Sequence, residues 1–205
     1  ERQSLSEAIA EARGHSGYWL LTLGFFVCGF QVTFIAVHLP AFLADEGLSP
    51  MVGATALGVI GLFNIVSGIM AGVFGDKFRK KFTLSWLYIG RAVVISGFLF
   101  FAITEVSALV FAAAIGLLWL GTVPLTSALV AEIFGPRYLS TLFGFVFFSH
   151  QVGSFLGAWL GGYVYDLTGS YTPVWLAAIA LSVIAALLHM PIADQPVARL
   201  AKSTA

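Results

Sequence analysis

Long stretches without charge constrain this chain more than any other feature of its sequence. Five segments contain no Asp, Glu, Lys or Arg: 14–44, 47–75, 106–131, 138–165 and 167–193. A sixth stretch of comparable length, 82–104, contains a single charge, Arg91. Each of the six exceeds the roughly 20 apolar residues that a helix needs to cross about 30 Å of hydrocarbon. The spacing therefore predicts six transmembrane helices, over about 18–41, 51–75, 82–104, 107–131, 140–165 and 172–191.

The composition agrees with lipid, rather than water, as the solvent. Hydrophobic residues make up 59 % of the 205 residues and charged residues 10 %, whereas soluble domains carry about 25 % charged residues. The net charge of zero gives no electrostatic reason to expect a nucleic-acid partner. The one cysteine, Cys28, excludes an intrachain disulfide and a cysteine-based zinc cluster. We expect an all-α integral membrane protein with no metal site and no cofactor.

The basic residues predict how the helices are oriented. With both termini in the cytoplasm, nine of the ten Lys and Arg residues lie on the cytoplasmic side. The charged residues of the outer loops are then all acidic, which is the positive-inside pattern. The nine are Arg2, Arg13, Lys77, Arg79, Lys80, Lys81, Arg137, Arg199 and Lys202. We expect a multi-pass protein of the plasma membrane, specifically a bacterial inner membrane. It would have a cytoplasmic leader (1–16), a six-helix bundle (17–192) and a cytoplasmic tail (193–205).

Several motifs resemble those of one transporter family. The loop 75–81 reads Gly-Asp-Lys-Phe-Arg-Lys-Lys and resembles the major facilitator loop, in which Gly and an Asp-Arg-like pair precede clustered basic residues. Here Lys77 stands in place of the usual Arg. The segments 29–40, 119–126, 149–153 and 161–171 are similar to bacterial carriers near the monocarboxylate and oxalate/formate group.

The resemblance implies a particular architecture. The chain would be the C-terminal six-helix half of a twelve-helix carrier, partnered by an N-terminal half of the same protein; its start at Glu1 rather than Met agrees with a piece of a longer chain. Substrate would bind near the bilayer midplane, and the two halves would rock around it. Spans one, two, four and five would line the cavity, and spans three and six would form an outer scaffold.

His150 is the leading candidate for substrate binding, about ten residues into span five. In carriers of the oxalate type, the resembling position holds a lysine that faces the anionic substrate. A histidine there is suited to binding a carboxylate or carrying a coupled proton, because its ordinary pKa is close to physiological pH. The alternative is a neutral histidine whose hydrogen bonds are made by a neighbouring helix or by Gln151.

Further polar groups at membrane depth, Gln151 beside His150 among them, are candidates for substrate binding because such groups are costly in lipid. Gln31 and His38 are two helical turns apart and share one face of span one. Asn64 and Trp119 lie near the middle of cavity-lining spans. The alternative for Asn64 and Trp119 is helix packing, since polar side chains also bond across helices in membranes; His38 also suits an interfacial or gating role.

The buried charge and the basic loop receive separate interpretations. Arg91 lies roughly 15 Å from the basic loop at helical rise, too far for easy snorkelling, so we expect a carbonyl, carboxylate or water partner and a structural role. The basic loop is predicted to form a conformational latch or, alternatively, to carry topological charge only. The latch residues are Asp76, Arg79, Lys80, Lys81, Glu132 and Arg137.

The functional prediction is secondary transport of a small organic solute, with proton coupling as an option. A dicarboxylate fits poorly, because the segment 67–72 of span two lacks the arginine that the resembling carriers place there. A monocarboxylate fits better, and the alternatives are a neutral or drug-like solute or a non-transporting sensor or assembly subunit. An intramembrane enzyme is disfavoured, since the adjacent Ser149 and His150 lie about 100° apart around one helix. The one Gly-x-Ser-Gly segment, 14–17, precedes the first predicted span. The expected partners are the other half, the solute, protons and membrane lipids.

Overall fold

The structure is a computed structural model that describes residues 3–201. Arg2 and Lys202, which enter the positive-inside count, lie outside this range, as do the outermost residues of the predicted leader and tail. The helices are α1 (Leu5–Gly14), α2 (Ser16–Asp45), α3 (Pro50–Lys77), α4 (Lys80–Phe100), α5 (Glu105–Leu117), α6 (Thr122–Phe134), α7 (Leu139–Thr168), α8 (Thr172–His189) and α9 (Ala198–Ala201).

Six segments of the described chain are long and apolar enough to cross a membrane, which confirms the predicted fold class. Span four, however, was expected to be one helix over 107–131 and is divided into α5 and α6 by a turn at residues 118–121. Pro124 explains part of the division, because proline cannot donate a hydrogen bond to the carbonyl of Leu120. That carbonyl instead accepts from the N–H of Val123 at 3.2 Å.

The bundle is organised around α2, which packs along the full length of α7. Three glycines spaced four residues apart on α7 make this approach possible. A Cβ added at Gly153 would lie 2.1 Å from the carbonyl oxygen of Phe26, and one at Gly157 would lie 2.1 Å from that of Phe30. One added at Gly161 would collide with the ring of His38. The two helices are therefore in contact through their backbones, as small residues permit in membranes.

The remaining spans form two further pairs, α4 with α8 and α3 with α5. In the apolar 18-residue stretch of α2, 61 % of the residues are buried inside the bundle. In the corresponding stretches of α3 and α7, only 17 % are buried. The outer faces of α3 and α7 are therefore the least covered surfaces of the bundle.

An aromatic cluster fills the bundle at the end opposite the basic loop. Trp175 on α8 is fully buried. Its ring lies 4.9 Å from that of Phe34 and 5.4 Å from that of Phe42, centroid to centroid, and Phe98 and Phe111 lie within 6 Å. This cluster joins α2, α4, α5 and α8.

The leader and the tail meet at the end of the bundle that carries the basic loop, which we call the basic end. Helix α1 begins with a capping box between Ser4 and Glu7, and the hydrogen bonds from Ser4 lower the pKa of Glu7. Arg199 of the tail donates to Glu11 of α1 at 3.3 Å and to the carbonyl of Phe134 at 3.1 Å. Both segments therefore pack on the corner between α6 and α7.

Candidate functional site

His150 lies on α7 at its contact with α2 and is partly exposed. Its ring stacks on Phe147 at 5.4 Å and lies 4.7 Å from the ring of Phe25, centroid to centroid. Its Nδ1 is 3.2 Å from Oε1 of Gln151 and 3.5 Å from the hydroxyl of Ser154. The aromatic rings fix the imidazole while leaving part of it accessible, which suits a group that binds or releases a ligand.

Gln31 and His38 are buried and bonded within the bundle. The amide nitrogen of Gln31 donates to the carbonyl of Ala178 at 2.7 Å and to the hydroxyl of Ser182, both on α8. Nε2 of His38 is 2.8 Å from the carbonyl oxygen of Ala158 on α7. These contacts give both side chains a packing role that the sequence did not specify, and their part in substrate binding stays a prediction.

Asn64 and Trp119 lie where α3 packs on the divided span four. The N–H of Gly121 donates to the hydroxyl of Ser67 at 3.0 Å, and Asn64 lies one turn before Ser67 on α3. Within residues 3–201, the buried Oδ1 of Asn64 has no hydrogen-bond partner. Trp119 is part of the turn between α5 and α6 and is partly exposed. The structure thus places these two candidates on adjoining elements, and Oδ1 of Asn64 can accept a further hydrogen bond.

Arg91 is 1 % exposed and bonds to backbone carbonyls at the same turn. Its Nε donates to the carbonyl of Leu118 at 2.9 Å, and its Nη2 donates to that of Trp119 at 3.0 Å. Its Nη1 lies 3.3 Å from Oε1 of Gln31. The guanidinium therefore has carbonyl partners of the kind that the sequence led us to expect.

Ion pairs at the basic end connect elements that are distant in sequence. Lys80 lies 3.0 Å from Glu132, as the latch hypothesis requires. Arg79, in contrast, makes two hydrogen bonds, of 2.9 and 2.5 Å, to Asp194, and Lys81 lies 3.8 Å from the same carboxylate. The sequence reasoning missed Asp194, although it is the first charged residue after the last span.

The other two latch candidates are placed differently. Among the residues that the structure describes, Asp76 and Arg137 form no ion pair. Asp76 is exposed, and the guanidinium of Arg137 lies 5.2 Å from the ring centroid of Tyr138. The structure brings together four of the six candidates in two separate ion-pair groups, and a latch that acts during transport stays a prediction.

Replacing Asp194 with asparagine is expected to lower the free energy of unfolding by about 1 kcal/mol at pH 7. A charged hydrogen bond is worth about 1.5–3 kcal/mol, but solvent screens this one because the side chain of Arg79 is 54 % exposed. The hydrogen bonds from Arg79 lower the pKa of Asp194. The stabilisation is therefore complete above the ordinary aspartate pKa, about 3.9, and is lost as the pH falls through the lower, folded-state pKa.

Unfolding in detergent, followed by circular dichroism between pH 7 and pH 3, measures this effect. Asp76→Asn is the matched control, since it removes a nearby carboxylate that forms no ion pair in the described chain, and it should change stability by less than about 0.5 kcal/mol. Equal effects of the two substitutions would show that the Arg79–Asp194 pair does not stabilise the basic end.

Comparison with known proteins assigns this six-helix bundle to a family. The family model described as Major Facilitator Superfamily matches residues 21–204. The chain belongs to the major facilitator superfamily. This confirms the resemblance found in the loop 75–81 and the six-helix architecture. The superfamily consists of membrane transporters for small-molecule substrates and is in general not enzymatic.

Relatives within the superfamily are similar to the chain over much of its length. The uncharacterized MFS-type transporter YcxA of Bacillus subtilis is 27 % identical over 95 % of this chain and 51 % of its own length. Monocarboxylate transporter 13 of Rattus norvegicus is 29 % identical over 69 % of this chain and 33 % of its own length. Monocarboxylate transporter 12-B of Danio rerio is 26 % identical over 71 % of this chain and 31 % of its own length. The chain spans about half, or less, of the length of these relatives.

Proposed function

We propose that this chain is the C-terminal half of a secondary carrier that moves a small monocarboxylate by alternating access, with a proton as the coupling ion. Both termini would face the cytoplasm of a bacterium. The observation that carries the proposal is the partly exposed imidazole of His150, held between aromatic rings at the contact of two cavity-lining spans. The proposal assigns no catalytic step and no cofactor to the chain.

The uncovered faces of α3 and α7 support an N-terminal half as the partner. Both helices expose large apolar side chains, such as Ile65 and Ile69 on α3 and Phe148 and Phe155 on α7. In the proposed carrier, a second six-helix half would cover part of these faces and enclose the cavity between them. The coverage of the relatives agrees with this arrangement, since 51 % of YcxA is matched.

The positions of the histidines favour a substrate with a single carboxylate group. His38 bonds to a carbonyl of α7, and His189 is fully buried with its Nδ1 2.7 Å from the carbonyl oxygen of Ala185. Arg91 is enclosed by its own hydrogen bonds. Among the basic groups within the described spans, His150 is therefore the one best placed to meet a substrate anion. The names of the two monocarboxylate transporters point to the same class of substrate.

Counterflow in proteoliposomes tests the proposal with the whole carrier, meaning this chain joined to its N-terminal half. We expect saturable exchange of labelled L-lactate that an inward proton gradient increases. His150→Ala should lower this exchange at least tenfold, a loss of about 1.4 kcal/mol or more of transition-state stabilisation, and should abolish the response to the proton gradient. Oxalate, with two carboxylates, should be a poor substrate.

A second histidine provides the matched control. His15 is also partly exposed but lies between α1 and α2, outside the spans. His15→Ala should therefore leave lactate exchange within twofold of the unchanged carrier. If the folded carrier does not exchange lactate, the substrate assignment is refuted. Exchange of an uncharged solute would then favour a carrier of neutral solutes. If no solute is exchanged, a sensor or an assembly subunit is favoured.

A further inference from the structure

The buried charge of Arg91 lacks a carboxylate partner in the part of the chain that the structure describes. None of the ion pairs among residues 3–201 includes it, although it is 1 % exposed near the middle of a span. An isolated charge is expensive at this depth unless other groups replace its hydration. The groups around Arg91 must therefore account for its presence.

Those groups come from two other spans and from α4 itself. Besides the two carbonyls of the turn, Arg91 contacts the hydroxyl of Thr122 at 3.4 Å and the thiol of Cys28 at 3.3 Å. Its guanidinium carbon lies 5.1 Å from the ring centroid of Tyr88, which adds a cation–π contact. Gln31 accepts from Arg91 through its oxygen and is itself held by α8 through its nitrogen. The guanidinium is thus enclosed by α2, the turn of span four and its own helix.

The carbonyls that Arg91 binds are those exposed by the division of span four. A helix leaves its last carbonyls without intrahelical partners, and the C-terminal end of α5 carries partial negative charge. In hydrocarbon such groups need another donor. The carbonyls of Leu118 and Trp119 are adjacent, so the two parallel donors of one guanidinium reach both. A lysine carries a single point charge and lacks this fork.

We propose that Arg91 is a positioning residue of the transport site. It touches no substrate; it holds span four in two pieces and thereby fixes Trp119. This side chain packs against two buried hydrophobic clusters, one that includes Tyr88 and Leu125 and the aromatic cluster around Trp175. Asn64, whose Oδ1 has no partner in residues 3–201, lies on α3 one turn before Ser67, which bonds to Gly121 of the same turn. This role rests on the proposed carrier function, since it concerns the geometry of the same cavity.

The test compares Arg91→Gln with Arg91→Lys in the whole carrier. For equal amounts of folded protein, we expect Arg91→Gln to raise the KM for L-lactate about tenfold, because the turn loses both bonds. Arg91→Lys keeps the charge and one bond and should recover part of the affinity. Ser85→Ala is the matched control. It removes another buried hydrogen bond of α4, 2.7 Å long, which goes to the carbonyl of Ala186 on α8 and not to the turn. It should leave KM within twofold.

Amide hydrogen exchange provides a readout that does not depend on the substrate. Amides of residues 118–123 should exchange faster in Arg91→Gln than in the unchanged carrier or in Ser85→Ala. If Arg91→Gln does not fold, Arg91→Lys tests the proposal instead. It should raise the KM and the exchange rate of these amides above those of the unchanged carrier, by less than the effect expected for Arg91→Gln. Unchanged KM and unchanged exchange would overturn the proposal. If the unchanged carrier does not transport lactate, the substrate assignment fails, and the exchange of residues 118–123 still decides whether Arg91 holds the turn.

Discussion

Replacing Gly157 with alanine is expected to lower the free energy of unfolding by about 3 kcal/mol, the upper end of the range for overpacked cores. The new Cβ would lie 2.1 Å from the carbonyl oxygen of Phe30 and 3.1 Å from its Cα. Both are backbone atoms, so no change of rotamer relieves the collision. Helices α2 and α7 would have to separate along much of their shared length.

Gly144→Ala provides the control on the same helix. A Cβ at Gly144 meets no atom within 4 Å, and alanine favours helix over glycine by about 1 kcal/mol. Unfolding of the two variants in a denaturing detergent, followed by helical circular dichroism, should therefore change in opposite directions. If Gly157→Ala is as stable as Gly144→Ala, the close contact between α2 and α7 is wrong.

Replacing Trp175 with alanine is expected to cost about 3 kcal/mol, the lower end of the range for large aromatic residues. Trp175 is fully buried and meets four phenylalanine rings. The unfolded reference state in detergent or lipid is itself apolar, so little of the loss comes from transfer out of water. The loss comes mainly from the cavity and from the missing ring contacts.

Trp175→Phe separates the ring from its polar atom. The buried Nε1 of Trp175 has no acceptor among the described residues, so phenylalanine removes an unsatisfied donor while it keeps most of the aromatic contact. We expect a loss of about 1 kcal/mol or less for this variant, measured by the same unfolding assay. A loss equal to that of Trp175→Ala would contradict this expectation and would mean that a single aromatic ring cannot replace the indole in the cluster.

The spans could be predicted because lipid imposes a simple requirement on the sequence. A helix that crosses the hydrocarbon needs about 20 apolar residues, and the charge-free segments mark such helices directly. The turn in span four could not be located in the same way. Pro124 and Gly121 are visible in the sequence, but membrane helices often tolerate both residues. The structure shows that the carbonyls at this turn are bound by Arg91, a residue of another helix.

The candidate site was predicted only as a set of residue types at suitable depths. Depth follows from the sequence, but the direction of a side chain depends on which neighbour covers each face. Gln31 illustrates this limit: it lies at the expected depth, yet its amide bonds to α8 and to Arg91. Asp194 illustrates another limit, since only the folded chain brings the segment after α8 beside the loop that contains Arg79.

The glycine contacts between α2 and α7 also limit how the bundle can move. Side-chain interfaces can slide by small steps as rotamers change, but here carbonyl groups of α2 sit in notches of α7 at Gly153 and Gly157, and the ring of His38 sits in the notch at Gly161. The next equivalent register is four residues away, a shift of about 6 Å at 1.5 Å per residue. A smaller slip would press a larger side chain against the backbone. Phe25 and His150 are therefore expected to move together during transport, and a hinge is to be sought outside this pair of helices.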